Sequence, residues 1–420
     1  MIPAVTRILL LLPSATYKAP DFLAAARRLG ADVVVASEMA QTLAGAMGDR
    51  ALQIDPDDPP AAAAAIVALA DRRPLDAVVA VDDQGLLVAA LAAERLGLAH
   101  NPPEAVARTR NKAGMRAALA AAIEATGGGA TMLRQPEFRV VPAGEDAAAQ
   151  AAEVGFPCVV KPVSLAASRG VIRADDPASV QAAADRIRAI LGEAGRPPDE
   201  PLLVERYIPG GEVAVEGLLR DGRLEVLAVF DKPDPLVGPY FEETLYVTPS
   251  RLPAPVQAGI GEAVSAAARA IGLSEGPVHG ELRLDADEQP WVLELAARTI
   301  GGLCARTLRF GTGVSLEELV LRHALGLPLE VAREEAAAGV MMLPIAGTGR
   351  LVEVRGQDEA RAVPGITALE LSILPGRPVR PLPEGDRYLG FLFARAVTPE
   401  EVETALRRAH ARLEVVIGPT

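Results

Sequence analysis

The chain has 420 residues, 50% apolar and 23% charged, the composition of a globular protein with room for two or three domains. Asp and Glu outnumber Lys and Arg by 55 to 42, a net charge of -13 with no local basic cluster to offset it, which speaks against nucleic-acid and anionic-membrane partners. Aromatic residues make up only 3%, too few for a base-stacking platform.

Cys158 and Cys304 stand far apart with no C-x-x-C, so neither a disulfide framework nor a zinc site is implied, and a reducing cytoplasm fits. Residues 8–12 are apolar but fall short of the core of a signal peptide, and no stretch reaches the roughly 18 apolar residues of a membrane helix. Strands at 5–12, 32–36 and 77–81, with helices near 20–29 and 84–96, predict an α/β unit with a parallel sheet. The turn Pro13-Ser14-Ala15-Thr16 lacks G-x-G-x-x-G, which argues against a dinucleotide-binding unit. One helix is expected from 103 to about 124, ending at the joint Gly127-Gly128-Gly129. Residues 138–207 read β-α-β-β-α-β, compact enough for a small lid. Strands then dominate 212–247, followed by a helix near 256–271, a hairpin at 278–295 and a linker at 328–339. From about 340 onward the chain is strand-rich, with a closing helix near 399–413.

Only four of the 42 basic residues are Lys: Lys18, Lys112, Lys161 and Lys232. Where Arg is the default cation, each Lys marks a position at which a compact ammonium can matter. Lys18 is read as a chance survivor. Lys161 lies in the apolar strand 156–163, where an ammonium is costly unless it meets an anion or water. The small-residue loop after it, from Ser164 through Ser168 to Gly170, offers backbone amides to a polyphosphate, or is simply a hairpin turn. The strand from Leu202 ends in Glu205-Arg206-Tyr207-Ile208-Pro209-Gly210-Gly211-Glu212, which can present backbone to an adenine edge and a carboxylate to ribose, or is a connector with surface acids. In the hairpin, a turn centred between Asp287 and Glu288 sets Glu281 directly opposite Glu294, with Cβ atoms about 5 Å apart. Such a like-charge pair is relieved by a divalent cation, and all-oxygen ligation suits Mg²⁺ carrying phosphates, with Mn²⁺ as a substitute.

Taken in this order, Lys112, Lys161, the small-residue loop, Glu205 to Glu212, Glu281, Glu294 and Arg298 resemble the ATP-grasp superfamily of carboxylate-amine ligases. The segment Phe230-Asp231-Lys232-Pro233 through Gly238-Pro239-Tyr240-Phe241-Glu242-Glu243-Thr244 looks most like the dipeptide-forming L-amino acid ligases. The resemblance implies an α/β fold in three parts: an N-terminal parallel α/β domain at 1–110, an ATP-grasp domain at 111–330 with a mobile lid at about 135–207, and a C-terminal α+β domain at 331–420. It implies that Lys112 and Lys161 hold the ATP phosphates, that Glu205, Tyr207 and Ile208 form the adenine hinge, and that Glu212 binds ribose. Glu281 and Glu294 become magnesium ligands, and Arg298 contacts the transferring phosphate. Many members carry Asn two residues after the second metal ligand; here Ala296 stands there, as in amino-acid ligases of this type, so waters or phosphates complete the shell.

The implied reaction transfers a phosphoryl group from ATP to a carboxylate, and an amine then attacks the acyl-phosphate. Glu243 is the first choice for the group that takes the amine's proton or holds its ammonium. His279 is the second, sharing a strand face with Glu281, although it can equally be a core histidine. Arg306 and Arg309, after Gly301-Gly302, are the cations assigned to a substrate carboxylate. The expected partners are small-molecule carboxylates and amines, amino acids first, and resembling ligases often form homodimers. Rival readings are a biotin-carboxylase-like or purine-pathway ligase, a non-catalytic ATP-binding regulatory module and a periplasmic-type ligand-binding protein.

Overall fold

A computed structural model describes residues 6–40, 47–127, 132–197 and 199–419. The start of the first expected strand, at Val5, and the joint residues Gly128 and Gly129 lie outside the described residues.

The N-terminal sheet is parallel, in the order β3 (Ala51–Gln53), β2 (Asp32–Ser37), β1 (Arg7–Leu11), β4 (Ala77–Ala80). β1 is buried on both faces, because helices Ala19–Arg28, Pro59–Ala70 and Leu86–Leu96 cover the sheet; a continuous Ile-Leu-Leu-Leu run suits such a strand. β3 and helix Pro59–Ala70 went without individual assignment in the sequence: the strand has only three residues, and the helix is apolar all round.

The single helix expected from 103 to about 124 is two helices, Pro103–Thr109 and Lys112–Ala125. The chain breaks at Asn111, whose backbone is extended and whose side chain accepts from the Gly114 amide as an N-cap. The break has a consequence for chemistry. It puts Lys112 at the first turn of a helix, where its amide donates to the Val163 carbonyl at 3.0 Å and ties it to the strand that carries Lys161.

The lid follows the expected order as a four-stranded antiparallel sheet, arranged β5 (Phe138–Val141), β8 (Leu202–Arg206), β6 (Cys158–Pro162), β7 (Ile172–Ala174), with helices Ala147–Val154 and Pro177–Glu193. Period-two alternation sends Cys158, Val160, Leu202 and Val204 into its core. Val159, Lys161 and Glu205 are left on the opposite face, toward the large sheet.

That sheet has eight strands. Its order is β13 (Pro290–Ala296), β12 (Gly276–Leu284), β9 (Gly211–Arg220), β10 (Arg223–Lys232), β11 (Leu245–Thr248), β16 (Ala337–Leu343), β20 (Gly390–Ala396), β18 (Ile366–Leu371). Two smaller ladders pair β14 (Arg309–Phe310) with β15 (Val314–Ser315), and β17 (Gly349–Arg355) with β19 (Pro378–Val379) and β21 (Glu414–Gly418). The division expected at 330/331 does not interrupt the large sheet, because β11 is hydrogen-bonded to β16 along Leu245 to Thr248. The expected linker also ends early, since its last residues, from Ala337, already belong to β16.

Helix Ala254–Ile271 covers one end of this sheet, packing on Val213, Val215, Val278 and Leu282. Helix Pro399–His410 covers the other end. The opposite face of β9 and β12, with Glu212, Glu216, His279, Glu281 and Arg283, is therefore turned toward the lid and the N-terminal unit.

The lid touches the C-terminal region through polar contacts. The Gly170 amide donates to the Pro383 carbonyl at 3.0 Å, Arg186 makes a two-point ion pair with Glu384 at 2.5 and 3.0 Å, and Arg380 does the same with Glu193 at 2.8 and 3.3 Å. Exposed pairs of this kind contribute about 0.2–1 kcal/mol each and are screened by salt. Arg186→Ala with Arg380→Ala is expected to raise amide exchange across residues 164–174 by no more than about tenfold. Raising the ionic strength of the wild type should move exchange in the same direction.

Candidate active site

One cavity of about 260 Å³ opens between the lid, the large sheet and the end of β4. It is lined by Lys112, Lys161, Ser168, Glu205, Tyr207, Ile208, Glu212, Glu243, His279, Glu281, Glu294, Arg298, Gly301 and Gly302, so residues spread over nearly two hundred positions meet in one place.

Glu281 and Glu294 are paired across β12 and β13, as expected, but not for the reason expected. Leu284 pairs with Pro290, which centres the turn on Asp287, and a bulge at Leu293 then shifts the register by one and restores the Glu281–Glu294 pairing. The bulge also places Leu293 and Glu294 together on the cavity wall. Gly280 supports this arrangement from behind: a Cβ there would come within 3.2 Å of both Val264 and Leu295, which would have to give by a few tenths of an ångström.

Each carboxylate has a cation. Lys232 Nζ bonds Glu212 at 2.7 Å and Glu243, and lies 3.8 Å from Glu281. Lys112 Nζ lies 3.5 Å from Glu294 and donates to the Leu165 carbonyl at 2.6 Å. Ligand oxygens of Glu212, Glu243 and Glu281 fall within 4.8 Å of one another. With Glu294 facing Glu281 and two further carboxylates beside it, the Glu281–Glu294 pair offers the oxygen ligands of a hard dication such as Mg²⁺, which would compete with Lys232 for the charge of Glu281.

Lys161 is held by Glu205 at 2.5 Å, and Glu205 is bonded on its other oxygen by the fully buried Arg116 at 2.6 Å. Burial pushes the Glu205 carboxyl up, but Arg116 and Lys161 outweigh it and hold it at about 2. Glu205 therefore aims Lys161; its side chain is committed to two cations rather than left free at the hinge. Arg116 also donates to the Val292 and Leu293 carbonyls, at 3.1 and 2.7 Å, and so fixes the bulge itself.

The hinge turns at Gly210, whose φ of +117° and whose hypothetical Cβ, 1.8 Å from the Leu284 carbonyl, admit only glycine. The Ile208 carbonyl accepts from Arg283 at 2.8 Å. The same guanidinium bonds Glu212 at 3.1 Å and lies 4.9 Å from the Tyr207 ring centre, while Tyr207 stacks on Phe241 at 6.3 Å. Val159, Tyr207, Ile208, Phe241 and Leu293 thus give this part of the cavity wall an apolar and aromatic lining suited to a flat heterocycle.

His279 lies between two carboxylates, Nδ1 at 3.2 Å from Glu216 and Nε2 at 3.5 Å from Glu281. Burial lowers its pKa, yet the two acids prevail and raise it to about 9. With both ring nitrogens facing carboxylates the imidazole is placed to orient Glu281, and this geometry favours the first choice, Glu243, for the role of base. Glu243 keeps a basic capacity: burial pushes its carboxyl pKa up against the pull of Lys232.

Four expected site residues are not brought to the cavity. Ser164 is turned away, its hydroxyl bonded to Glu200 at 2.8 and 2.9 Å, and the Gly170 amide is spent on Pro383. The loop instead presents Ala166, Ala167 and Ser168, with Ala167 and Ser168 in left-handed backbone at φ of 57° and 54°. Arg306 is paired with Asp21 at 2.8 Å and with Glu370, and Arg309 donates to its neighbours' carbonyls at 2.6 and 3.2 Å. Their guanidiniums brace the chain after Gly302 and leave a substrate carboxylate to other groups.

Arg116, Arg283, Asp82, Asp83, Tyr246, Met342 and Tyr388 take part in the site or line its cavity without having been singled out from sequence. In a chain with 38 Arg nothing separates Arg116 and Arg283 from surface arginines. Lys232 did carry a signal, its rarity, and it lies at the centre of the acidic cluster.

Comparison with known proteins agrees with this geometry. Residues 23–100 match the ATP-grasp N-terminal domain, 154–307 the ATP-grasp domain and 341–418 the L-amino acid ligase C-terminal domain 2. The chain belongs to the ATP-grasp superfamily and is like its L-amino acid ligases. It is 26% identical to the L-amino acid ligase of Bacillus licheniformis, whose crystal structure it matches with a TM-score of 0.81 over 98% of this chain and 99% of that one. The alanine–anticapsin ligase of Bacillus subtilis is 28% identical over 272 residues, 61% of this chain and 55% of that relative's length. N5-carboxyaminoimidazole ribonucleotide synthetase of Thermotoga maritima, 17% identical with a TM-score of 0.71 over 99% of this chain and all of that one, shares the fold. Among the described residues no helix is long and apolar enough to cross a membrane.

The Glu205 network gives a test. A carboxyl held near 2 stabilises the fold fully above its ordinary value near 4.5, and that contribution is lost as pH falls toward 2. In urea melts the wild type is expected to lose stability steeply between pH 4.5 and 2. Glu205→Gln should start about 3 kcal/mol lower at pH 7, because it leaves two buried cations short of a counter-charge, and should show a flatter acid limb.

Proposed function

We propose that this chain is an ATP-dependent carboxylate-amine ligase that joins L-amino acids into a dipeptide through an acyl-phosphate, releasing ADP and phosphate. The observation that carries the proposal is the convergence on one cavity of an opposed carboxylate pair, Glu281 and Glu294, with Lys112, Lys161 and Arg298. A protein that only bound nucleotide would have no use for that arrangement of charge.

Phosphoryl transfer depends on positioning and on neutralising charge more than on covalent help. Lys161, aimed by Glu205 and Arg116, and Lys112, anchored at its helix N-terminus, hold the phosphates. The Tyr207–Phe241 stack and the hinge at Ile208 hold the adenine, and Glu212 faces the ribose. Bound at Glu281 and Glu294, Mg²⁺ would screen the phosphates and polarise the transferring group. Arg298 neutralises the charge that develops on the phosphoryl group. Glu243, its pKa raised by burial, captures the ammonium of the incoming amino acid and accepts its proton. The lid excludes water and so protects the acyl-phosphate from hydrolysis.

The test is to incubate the protein with Mg²⁺, ATP and pooled L-amino acids, then to quantify ADP, AMP and phosphate and to search for new masses. ADP and phosphate released together with a mass equal to two amino acids less water is the expected outcome. Glu281→Gln and Glu294→Gln should each lower turnover by at least about 100-fold. Turnover only with bicarbonate would favour a carboxylating ligase instead, and tight ATP binding with no turnover in any pool would leave a regulatory module.

A further inference from the structure

Lys18, set aside from sequence as a chance survivor, is among the most tightly held cations in the protein. Its side chain is 4% exposed, and its ammonium meets three oxygens: the Val81 carbonyl at 3.2 Å, the Thr299 carbonyl at 3.3 Å and the Thr299 hydroxyl at 3.2 Å. Asp82, itself bonded by the Thr16 hydroxyl, supplies the counter-charge at 3.5 Å. Three donors on one compact nitrogen match three acceptors in a closed space, which a planar guanidinium cannot reproduce.

Next along the chain from Asp82, Asp83 accepts from Arg298 Nε at 2.9 Å, and Arg298 Nη1 donates to the same Thr299 carbonyl at 3.0 Å. The loop after β4 thus grips Arg298 directly and, through Lys18, the residue that follows it. We propose that Lys18 and Asp83 are positioning residues that clamp Arg298, so that the N-terminal unit completes the phosphoryl-transfer site from across the cavity. The proposal rests on the function given to Arg298 above. With Nε and one Nη1 hydrogen committed, the remaining N–H groups, chiefly those of Nη2, point in one fixed direction. A long side chain that loses the Asp83 bond spreads over several rotamers and delivers its charge to the transferring phosphate only part of the time.

The test uses the full chain with Asp83→Asn, Asp83→Glu, Lys18→Met, Lys18→Arg, Arg298→Ala and the double variant Asp83→Asn/Arg298→Ala. It measures kcat, KM for each substrate, ADP binding by calorimetry, and the exchange rate of the Arg298 Nε proton, identified by its absence in Arg298→Ala. The expected result for Asp83→Asn is ADP affinity within about twofold of wild type and kcat lower by about 100-fold. Asp83→Glu should recover part of the loss, both Lys18 variants should lower kcat, and the double variant should be no slower than Arg298→Ala alone. The Nε proton, slow to exchange in the wild type, should exchange fast in Asp83→Asn.

Normal kcat in Asp83→Asn beside an inactive Arg298→Ala would overturn the clamp and leave the ligase proposal standing, as would losses that add in the double variant. Full turnover in Arg298→Ala would sink the function given to that arginine and the clamp with it. An unchanged Nε exchange rate in Asp83→Asn overturns the clamp whatever the enzyme is found to catalyse.

Discussion

Two carboxylates held opposite each other on neighbouring strands repel, and the site around the cavity is arranged around that repulsion. Glu281 and Glu294 cannot drift apart, because the bulge at Leu293 fixes their register and Arg116 bonds the carbonyls on either side of the bulge's entry. Lys232, His279 and Lys112 divide the compensation among them. A divalent cation with a polyphosphate would redistribute the same charges, which is the role proposed above for the pair.

The cations are of two kinds with two uses. Arg116 and Arg283 are buried and multiply bonded to carbonyls and carboxylates, and they give the hinge and the hairpin their shape. Three of the four lysines sit where a compact charge faces several oxygens at once, Lys18 at Thr299, Lys112 at Glu294 and the Leu165 carbonyl, and Lys232 amid three glutamates, while Lys161 reaches the cavity from its pair with Glu205. The two planar forks build the frame, and compact ammonium groups stand nearer the carboxylates that face the cavity.

Three parts of the chain meet over this frame. The lid brings Lys161 down from one side on a sheet of its own, tied to the C-terminal region by two exposed ion pairs. The loop after β4 brings Asp82 and Asp83 from the other side. The large sheet passes without interruption from the hairpin to the C-terminal strands, so Tyr388 and Met342 reach the same cavity as Glu281.

Local pattern was enough for what depends on neighbours in sequence. The Glu281–Glu294 pairing was reached only because the bulge at Leu293 offsets a misplaced turn centre, but the order of the lid's elements, the hairpin itself and the rarity of Lys were all legible, because strand alternation, turn residues and composition are properties of short stretches. The break before Lys112 was not, since one Asn cap in an Ala-rich run weighs little beside the helical pattern around it. Nor was the fate of the arginines: Arg306 looks like a substrate cation until Asp21 and Glu370 come alongside, Arg309 until its neighbours' carbonyls take its guanidinium, and Lys18 looks incidental until Thr299, 281 residues away, closes over it. Whether a charge is spent or free depends on which distant acid lies within a few ångströms of it. That is decided by packing between elements and is written in no single stretch of the chain.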